Sequence, residues 1–124
     1  MTTSPHTIGK DQSLAHAHAI LKEHRIRHLP VLDGGALVGM LTERDLALIE
    51  SLSSVDPSGL HVEDAMTPLP FSVHPDSPLD QVAQEMAEKR YGSAVVVANN
   101  KVVGIFTAVD AMTALADLLH TRLR

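Results

Sequence analysis

Threonine and aspartate three residues apart, at the end of an apolar run, can hold a hydroxylated or phosphorylated ligand. The chain carries this spacing at Thr42 and Asp45 and again at Thr107 and Asp110. A carboxylate is well suited to accept two hydrogen bonds from a ribose diol. A threonine hydroxyl beside helix N–H groups is a ready site for a phosphate or a hydroxyl. The pair also has a purely structural use. Thr can cap the helix that follows, and Asp can sit in its first turn, where the positive end of the dipole favours a carboxylate. For a single occurrence, capping is the stronger reading. Recurrence at one structural address adds weight to a ligand. So do Gly39 and Gly104, each three residues ahead of its Thr, because glycine lets another backbone approach closely.

The elements that must position these residues are themselves duplicated. Val38 to Asp45 returns 65 residues later as Val103 to Asp110, and the alignment runs without a gap from Met1 on Met66 to Leu46 on Ala111. Twelve of those 46 pairs are identical. Such a period marks an internal repeat, but two units are too few for a solenoid. Either half alone, at about 60 residues, would bury little surface. The expectation is two repeats, 1–58 and 59–124, sharing a core.

Each repeat reads strand-helix-strand-strand-helix, an α+β pattern. His6-Thr7-Ile8 and Phe71-Ser72-Val73 read as short strands, and residues 1–5 as a frayed end. Asp11-Gln12-Ser13 opens one helix, with Leu14, Ala17, His18 and Leu21 on its inner face. Ser77-Pro78 opens its counterpart. There Ser77 is expected to cap, with Asp80 three residues on as in a capping box, and Leu79, Val82, Ala83, Met86 and Arg90 share a face. A hairpin turns at Asp33-Gly34-Gly35, and a second at Asn99-Asn100, residue types that tolerate positive φ. Ala94 to Ala98 is a continuous apolar run, expected to be buried on both faces. Pro30 lacks an N–H, which predicts an edge strand or an irregular strand start. Leu46, Ile49 and Leu52 line the first closing helix, and Met112, Leu115, Ala116 and Leu119 the second. Ser53 to Gly59 is loop by composition, and His61 to Met66 reads as a short connecting turn.

Composition excludes several functions. There is no Cys, so no disulfide, thiolate metal site or Cys nucleophile is possible. No apolar run reaches 18 residues, and no basic segment precedes an apolar one at the N-terminus, so neither a membrane span nor a secretory signal is expected. The cytoplasm is the expected compartment. A net charge of −5 argues against nucleic acid. With no Trp and one Tyr, base stacking on aromatic rings is largely closed off. There is no nucleophile–base pair and no phosphate loop of Walker type, which argues against an enzyme with catalytic residues. Of the eight histidines, His24 and His28 have i,i+4 spacing but straddle a helix end, so no metal site is expected.

Arg25-Ile26-Arg27-His28-Leu29-Pro30-Val31, Gly39 to Asp45, Asp64-Ala65-Met66-Thr67, Gly92 to Val97 and Gly104 to Asp110 form a joint pattern over nearly the whole chain. It resembles a tandem pair of CBS domains, the cystathionine-β-synthase-type regulatory or Bateman module. The resemblance implies two β-α-β-β-α units about a pseudo-twofold axis with clefts between them. It also implies an adenosine-containing regulatory ligand, such as AMP, ATP or S-adenosylmethionine, rather than a resident cofactor. Asp45 and Asp110 would hold ribose hydroxyls, and Thr42 and Thr107 would reach ribose or phosphate. Ile8, His28, Leu29 and Pro30, with Val73, Ala94 and Val95, would line the base pockets, the strand backbone reading the base edge. Arg44 has Val109 as its counterpart, so the first site is the one expected to prefer phosphates. His28 would make that binding pH-sensitive. A homodimer formed through the helices is implied, and a regulated protein would be a separate chain. The alternative is a dimerising interaction module with vestigial nucleotide sites.

Overall fold

The structure, a computed structural model, describes residues 1–52 and 56–122. Ser53, Ser54 and Val55 of the expected loop lie outside the described residues. The fold is α+β, with two four-stranded sheets and five α-helices among the described residues. Packing divides the chain into two compact units, His6–Pro70 and Met1–Pro5 with Phe71–Arg124. These units are offset from the 1–58 and 59–124 repeats, because each sheet takes its fourth strand from the opening segment of the other repeat.

In the His6–Pro70 unit, β2 (Ile8–Gly9) leads into α1 (Leu14–His24), then the hairpin β3 (His28–Asp33) and β4 (Ala36–Thr42), then α2 (Glu43–Glu50). A 3-10 turn (Pro57–Gly59), a short helix α3 (Val62–Ala65) and β5 (Thr67–Pro68) complete it. The sheet order is β2-β3-β4-β5, with β2 parallel to β3 and the other pairs antiparallel. Ser13 caps α1 by accepting from His16 N–H at 3.1 Å. Leu14, Ala17 and Leu21 then face inward and pack with Ile8, Leu29, Val31, Leu41, Leu46 and Val62 in one core. His18 falls outside it, held by Glu50 at 2.7 Å.

The other unit repeats the plan with β1 (Thr2–Thr3), β6 (Ser72–Val73), α4 (Leu79–Lys89), β7 (Ser93–Ala98), β8 (Lys101–Thr107) and α5 (Ala108–Arg122), in sheet order β1-β8-β7-β6. Its core cluster is smaller: Val82, Met86, Ala94 and Phe106. Ala94 and Ala111 stand where the first repeat has Leu29 and Leu46. In β7, Ala94, Val95 and Val96 are buried while Val97 and Ala98 are half-buried.

Several expectations change. Residues 1–5 are not frayed: Thr2 and Thr3 pair with Ile105 and Gly104, and Ser4 N–H donates to Val103 O at 3.1 Å. Ser77 does not cap α4, which starts one residue later with Pro78 at the cap; the Ser77 hydroxyl accepts from His74 N–H instead, at 3.1 Å. The first hairpin turns on Gly34 and Gly35, at φ 58° and 88°, with Asp33 paired to Ala36. Its counterpart turns on Asn99 and Asn100, at φ 52° and 62°. Pro30 lies not at an edge but in β3, between β2 and β4. The cost is visible at the matching position, where Val95 N–H donates to Phe71 O at 2.9 Å. Pro30 has no such donor, and β2 pairs with β3 only from Val31 onward.

Candidate functional site

Each Thr-Asp pair sits where a hairpin's second strand becomes a helix. Thr42 ends β4 in extended conformation (φ −112°, ψ 160°) and is the cap of α2. Thr42 N–H donates to Asp45 Oδ2 at 2.9 Å, and Asp45 N–H donates to Thr42 Oγ1 at 3.1 Å. In the other unit, Thr107 N–H donates to Asp110 Oδ2 at 2.8 Å, and Asp110 N–H to Thr107 Oγ1 at 3.1 Å. The structural reading is therefore realised twice, as reciprocal capping boxes.

The capping box leaves groups over. The first helical N–H of each closing helix is used by backbone, Glu43 donating to Arg27 O and Ala108 to Gly92 O, both at 2.9 Å. The second, at Arg44 or Val109, has no partner among the described residues. Nor has Oδ1 of either aspartate. Thr42, Asp45, Thr107 and Asp110 are all half-buried. Each junction thus keeps one N–H donor and one carboxylate oxygen that the cap positions but does not use. Arg44 is exposed with no carboxylate within ion-pair distance among the described residues, whereas Val109 offers only an apolar surface.

The structure brings His28 to the first junction: it opens β3 half-buried and lies opposite Thr42 in register. Ser93 takes that position opposite Thr107. The other pocket residues are placed differently. Ile8 and Leu29 commit their side chains to the core of the His6–Pro70 unit. Ala94 does so in the other unit, and half-buried Val73 packs against that core. Val95 and Pro30 are fully buried. Of these positions Val73 alone keeps part of its surface exposed.

Gly39 and Gly104 serve the fold. A β-carbon on Gly39 would overlap the Met66 thioether and stand 3.1 Å from Thr67 O. On Gly104 it would stand 3.0 Å from Met1 Sδ and 3.2 Å from Thr2 O. The glycines admit β5 and β1 to the sheet edge, so close backbone approach is real but its partner is the chain itself.

Sequence reasoning missed a groove of about 540 Å³ between α1 and α2. It is lined by the apolar side chains of Leu21, Ile26, Leu46 and Ala47, by the cations Lys22, Arg25 and Arg27, and by the carboxylates Glu43 and Glu50. Arg27 Nε lies 3.7 Å from Glu43. Arg25 caps α1 in the left-handed conformation, φ 53°, as Arg90 does for α4 at φ 59°. The basic cluster Lys22, Arg25 and Arg27 was the available signal. Among the described residues no group of three or more His, Asp or Glu is arranged to hold a metal ion. No described helix is long and apolar enough to cross a membrane.

Two copies of one β-α-β-β-α unit, each closed by the same capped strand–helix junction, define a duplicated α+β module. The CBS domain family matches residues 1–50 and 62–117, and the chain belongs to it as a pair of CBS domains. It is 32% identical over 110 residues to the CBS domain-containing protein YhcV of Bacillus subtilis, covering 89% of this chain and 78% of that protein. It is 33% identical over 112 residues, 89% of this chain, to L-aspartate semialdehyde sulfurtransferase of Methanocaldococcus jannaschii, spanning 21% of that protein. Among solved structures, a Vibrio cholerae protein assigned to acetoin utilization (AcuB) superposes with TM-score 0.82 at 31% identity, covering 98% and 90% of the two chains. The CBS domain pair of protein MJ0100, in complex with 5-methylthioadenosine and S-adenosyl-L-methionine, superposes with TM-score 0.79 at 30% identity, covering 94% and 92%. CBSX2 in complex with AMP superposes with TM-score 0.80 at 27% identity, covering 92% and 90%.

Proposed function

We propose that this CBS-domain pair is a regulatory module that binds an adenosine-containing ligand at one or both Thr-Asp junctions. Ligand binding alters its association with a partner, and the module is not itself an enzyme. The observation that carries the reading is the leftover chemistry of the capping boxes. A carboxylate oxygen and an N–H remain unfilled at both junctions, an acceptor and a donor of the kinds that a ribose hydroxyl and a phosphate use. The complexes of MJ0100 and CBSX2 support the adenosine part. Arg44 makes the first junction the one that prefers an anionic phosphate, and Val109 suits the second to a less charged adenosyl compound. In the same reading two copies associate through their helices in the cytoplasm. The regulated protein is a separate chain, with neither membrane nor nucleic acid involved.

A second reading, a dimerising interaction module with vestigial sites, is favoured by the completeness of the two caps, which account for Thr and Asp without any ligand. The two separate in one experiment. With one Tyr and no Trp the protein absorbs weakly at 280 nm, so a co-purified nucleotide stands out at 260 nm. Mass analysis after denaturation identifies it. Calorimetric titration with AMP, ADP, ATP, NAD and S-adenosylmethionine covers ligands that exchange during purification. Saturable binding of any of these supports the sensor; a protein that carries none and binds none is the interaction module.

A further inference from the structure

We propose that the groove between α1 and α2 is a further binding site of this chain, apart from the Thr-Asp junctions, and that it takes a carboxylate carried on an apolar body.

The groove lies wholly within the His6–Pro70 unit. Its volume of about 540 Å³ is of the size that small-molecule sites have. None of Thr42, Arg44 and Asp45 lines it. Two charged contacts tie its walls together. His18 Nδ1 lies 2.7 Å from Glu50 Oε1, joining α1 to the last residue of α2. Arg27 Nε lies 3.7 Å from Glu43 Oε2, joining the segment after α1 to the first residue of α2. The two helices therefore run antiparallel along the groove, and the stretch from Glu43 to Glu50 is about 10 Å long at 1.5 Å per residue. Both carboxylates of the lining are engaged by these contacts. Lys22 and Arg25 are not engaged: both are exposed, and neither side chain has an ion pair or a hydrogen bond among the described residues. Leu21, Ile26, Leu46 and Ala47 line the same groove, so two uncompensated cations stand beside an apolar surface.

The duplication supplies a control for the purely structural reading. Cations near the C-terminus of a helix complement its dipole, and α4 keeps this use with Lys89 and with Arg90, the counterpart of Arg25. The rest is not kept. At the 65-residue offset, His18, Lys22, Arg27, Glu43 and Glu50 become Ala83, Ala87, Gly92, Ala108 and Leu115. The second repeat forms the same helices and hairpin without any of these five side chains, so the fold does not require them. A few polar groups converging on a largely apolar cavity are the composition of a ligand site. The chemistry of the ligand follows from what is unmatched. The free charge is positive, so the group that meets it is an anion. A carboxylate can take a guanidinium in two parallel hydrogen bonds, with an ammonium beside it. The remaining lining is aliphatic, so the body is apolar, and the helix stretch sets its length at roughly 10 Å. A ribose diol is not served, because no carboxylate of the lining is left to accept from it.

Octanoate has this form, and 1-octanol has the same body without the charge. Calorimetric titration of the full-length protein with each tests the assignment. Lys22→Gln/Arg25→Gln removes the free charges at exposed positions, and Ala47→Trp fills the groove from another exposed position; circular dichroism confirms that both variants are folded. The expected result is saturable binding of octanoate, with octanol weaker by at least tenfold, as loss of a charge-assisted contact implies. Lys22→Gln/Arg25→Gln loses at least tenfold in octanoate affinity, Ala47→Trp loses binding, and Asp45→Asn binds octanoate as the wild type does. No saturable octanoate binding, or equal affinity in the wild type and both groove variants, overturns the site. Octanoate binding that disappears in Asp45→Asn belongs to the first junction and overturns it too. So does a wild-type dimer that Lys22→Gln/Arg25→Gln turns into a monomer in light scattering, because the groove is then covered by a second copy. Adenosyl-ligand titration of Ala47→Trp, in which Thr42, Arg44 and Asp45 are unchanged, reads the proposed function separately.

Discussion

Replacing Asp45 by asparagine separates the two jobs that the capping box and the ligand ask of one side chain. In the structure Oδ2 accepts from Thr42 N–H at 2.9 Å, while Oδ1 has no partner among the described residues. The asparagine would keep one carbonyl oxygen, which can still serve the cap. It would lose the charge beside the α2 N-terminus and turn the open acceptor into an NH2 donor. The folding cost is then the loss of the carboxylate–dipole interaction, about 0.3–1 kcal/mol. The binding cost is the loss of a charged acceptor for a ribose hydroxyl, about 1.5–3 kcal/mol, or roughly 10- to 150-fold in affinity. Asp45→Ala also removes the cap bond and adds about 0.5–1.5 kcal/mol to the folding cost. Urea denaturation measures the first quantity, and calorimetric titration with the adenosyl ligand that binds the wild type measures the second. The expected pattern for Asp45→Asn is near-native stability with affinity lost by at least tenfold. Affinity within threefold of wild type in Asp45→Asn, in Asp110→Asn and in the double variant would refute the assignment of these carboxylates to the ligand.

Three further outcomes follow from the geometry. Gly39→Ala forces a β-carbon against Met66 and Thr67 O and is expected to destabilise by about 1–3 kcal/mol in urea titration; Gly104→Ala, facing the end of Met1, is expected to cost less. Arg25→Gly and Arg90→Gly relieve left-handed backbone at φ 53° and 59°, and each is expected to raise the unfolding free energy by up to about 1 kcal/mol, read as a higher urea midpoint. Lys10, 3.4 Å from Asp33 and 3.8 Å from Glu63, has its pKa raised from 10.5, chiefly by the Asp33 charge. Its contribution to stability is therefore fully present below 10.5 and lost as pH rises through the folded value. Asp56 is lowered from 3.8 by the hydrogen bonds from Ser58, so its contribution is present above 3.8 and lost as pH falls through the folded value. Stability curves of Lys10→Met and Asp56→Asn are expected to converge on wild type only beyond those limits, alkaline for the first and acid for the second.

How much of this was legible depended on whether the signal was local. The β-α-β-β-α order, the two-residue hairpins and the Thr-Asp caps are written in short windows, and Gly34-Gly35, Asn99-Asn100 and the i,i+3 pairs carry them unaided. The misreadings came where a distant segment decides the outcome. Nothing near Thr2 says that it pairs with Ile105, 103 residues on. The edge-strand inference from Pro30 failed for a similar reason. The missing N–H is real, but a two-residue β2 begins pairing one position later and so never needs it. Ser77 looked like a cap because Ser, Pro and Asp stood in the right order; the His74 N–H competed for its hydroxyl and won. For the site, Thr42, Asp45 and His28 could be read as neighbours, since hairpin register places His28 opposite Thr42. That Leu29, Ile8 and Ala94 turn their side chains into a core could not, because alternation in a strand covered on both faces no longer marks a ligand side.

The duplication bears on function through its inequalities more than through its symmetry. The two junctions share their caps to within 0.1 Å, so the cap alone gives neither site a preference. Every distinguishing feature lies one residue away or one helix face over: Arg44 against Val109, His28 against Ser93, a charged groove against an apolar stripe. A module with two equal ligand sites and two equal helix faces would give no ligand a preference for one repeat over the other. Here the charged groove lies in the repeat that carries Arg44, and the exposed apolar stripe of α5 in the repeat that carries Val109. A ligand can move an assembly equilibrium only by its differential affinity for the two states. Phosphates drawn to Arg44 and adenosyl compounds suited to Val109 would therefore act on different repeats. Comparing the dimer constant with AMP and with S-adenosylmethionine would show whether the second, bound at the head of α5, shifts it more.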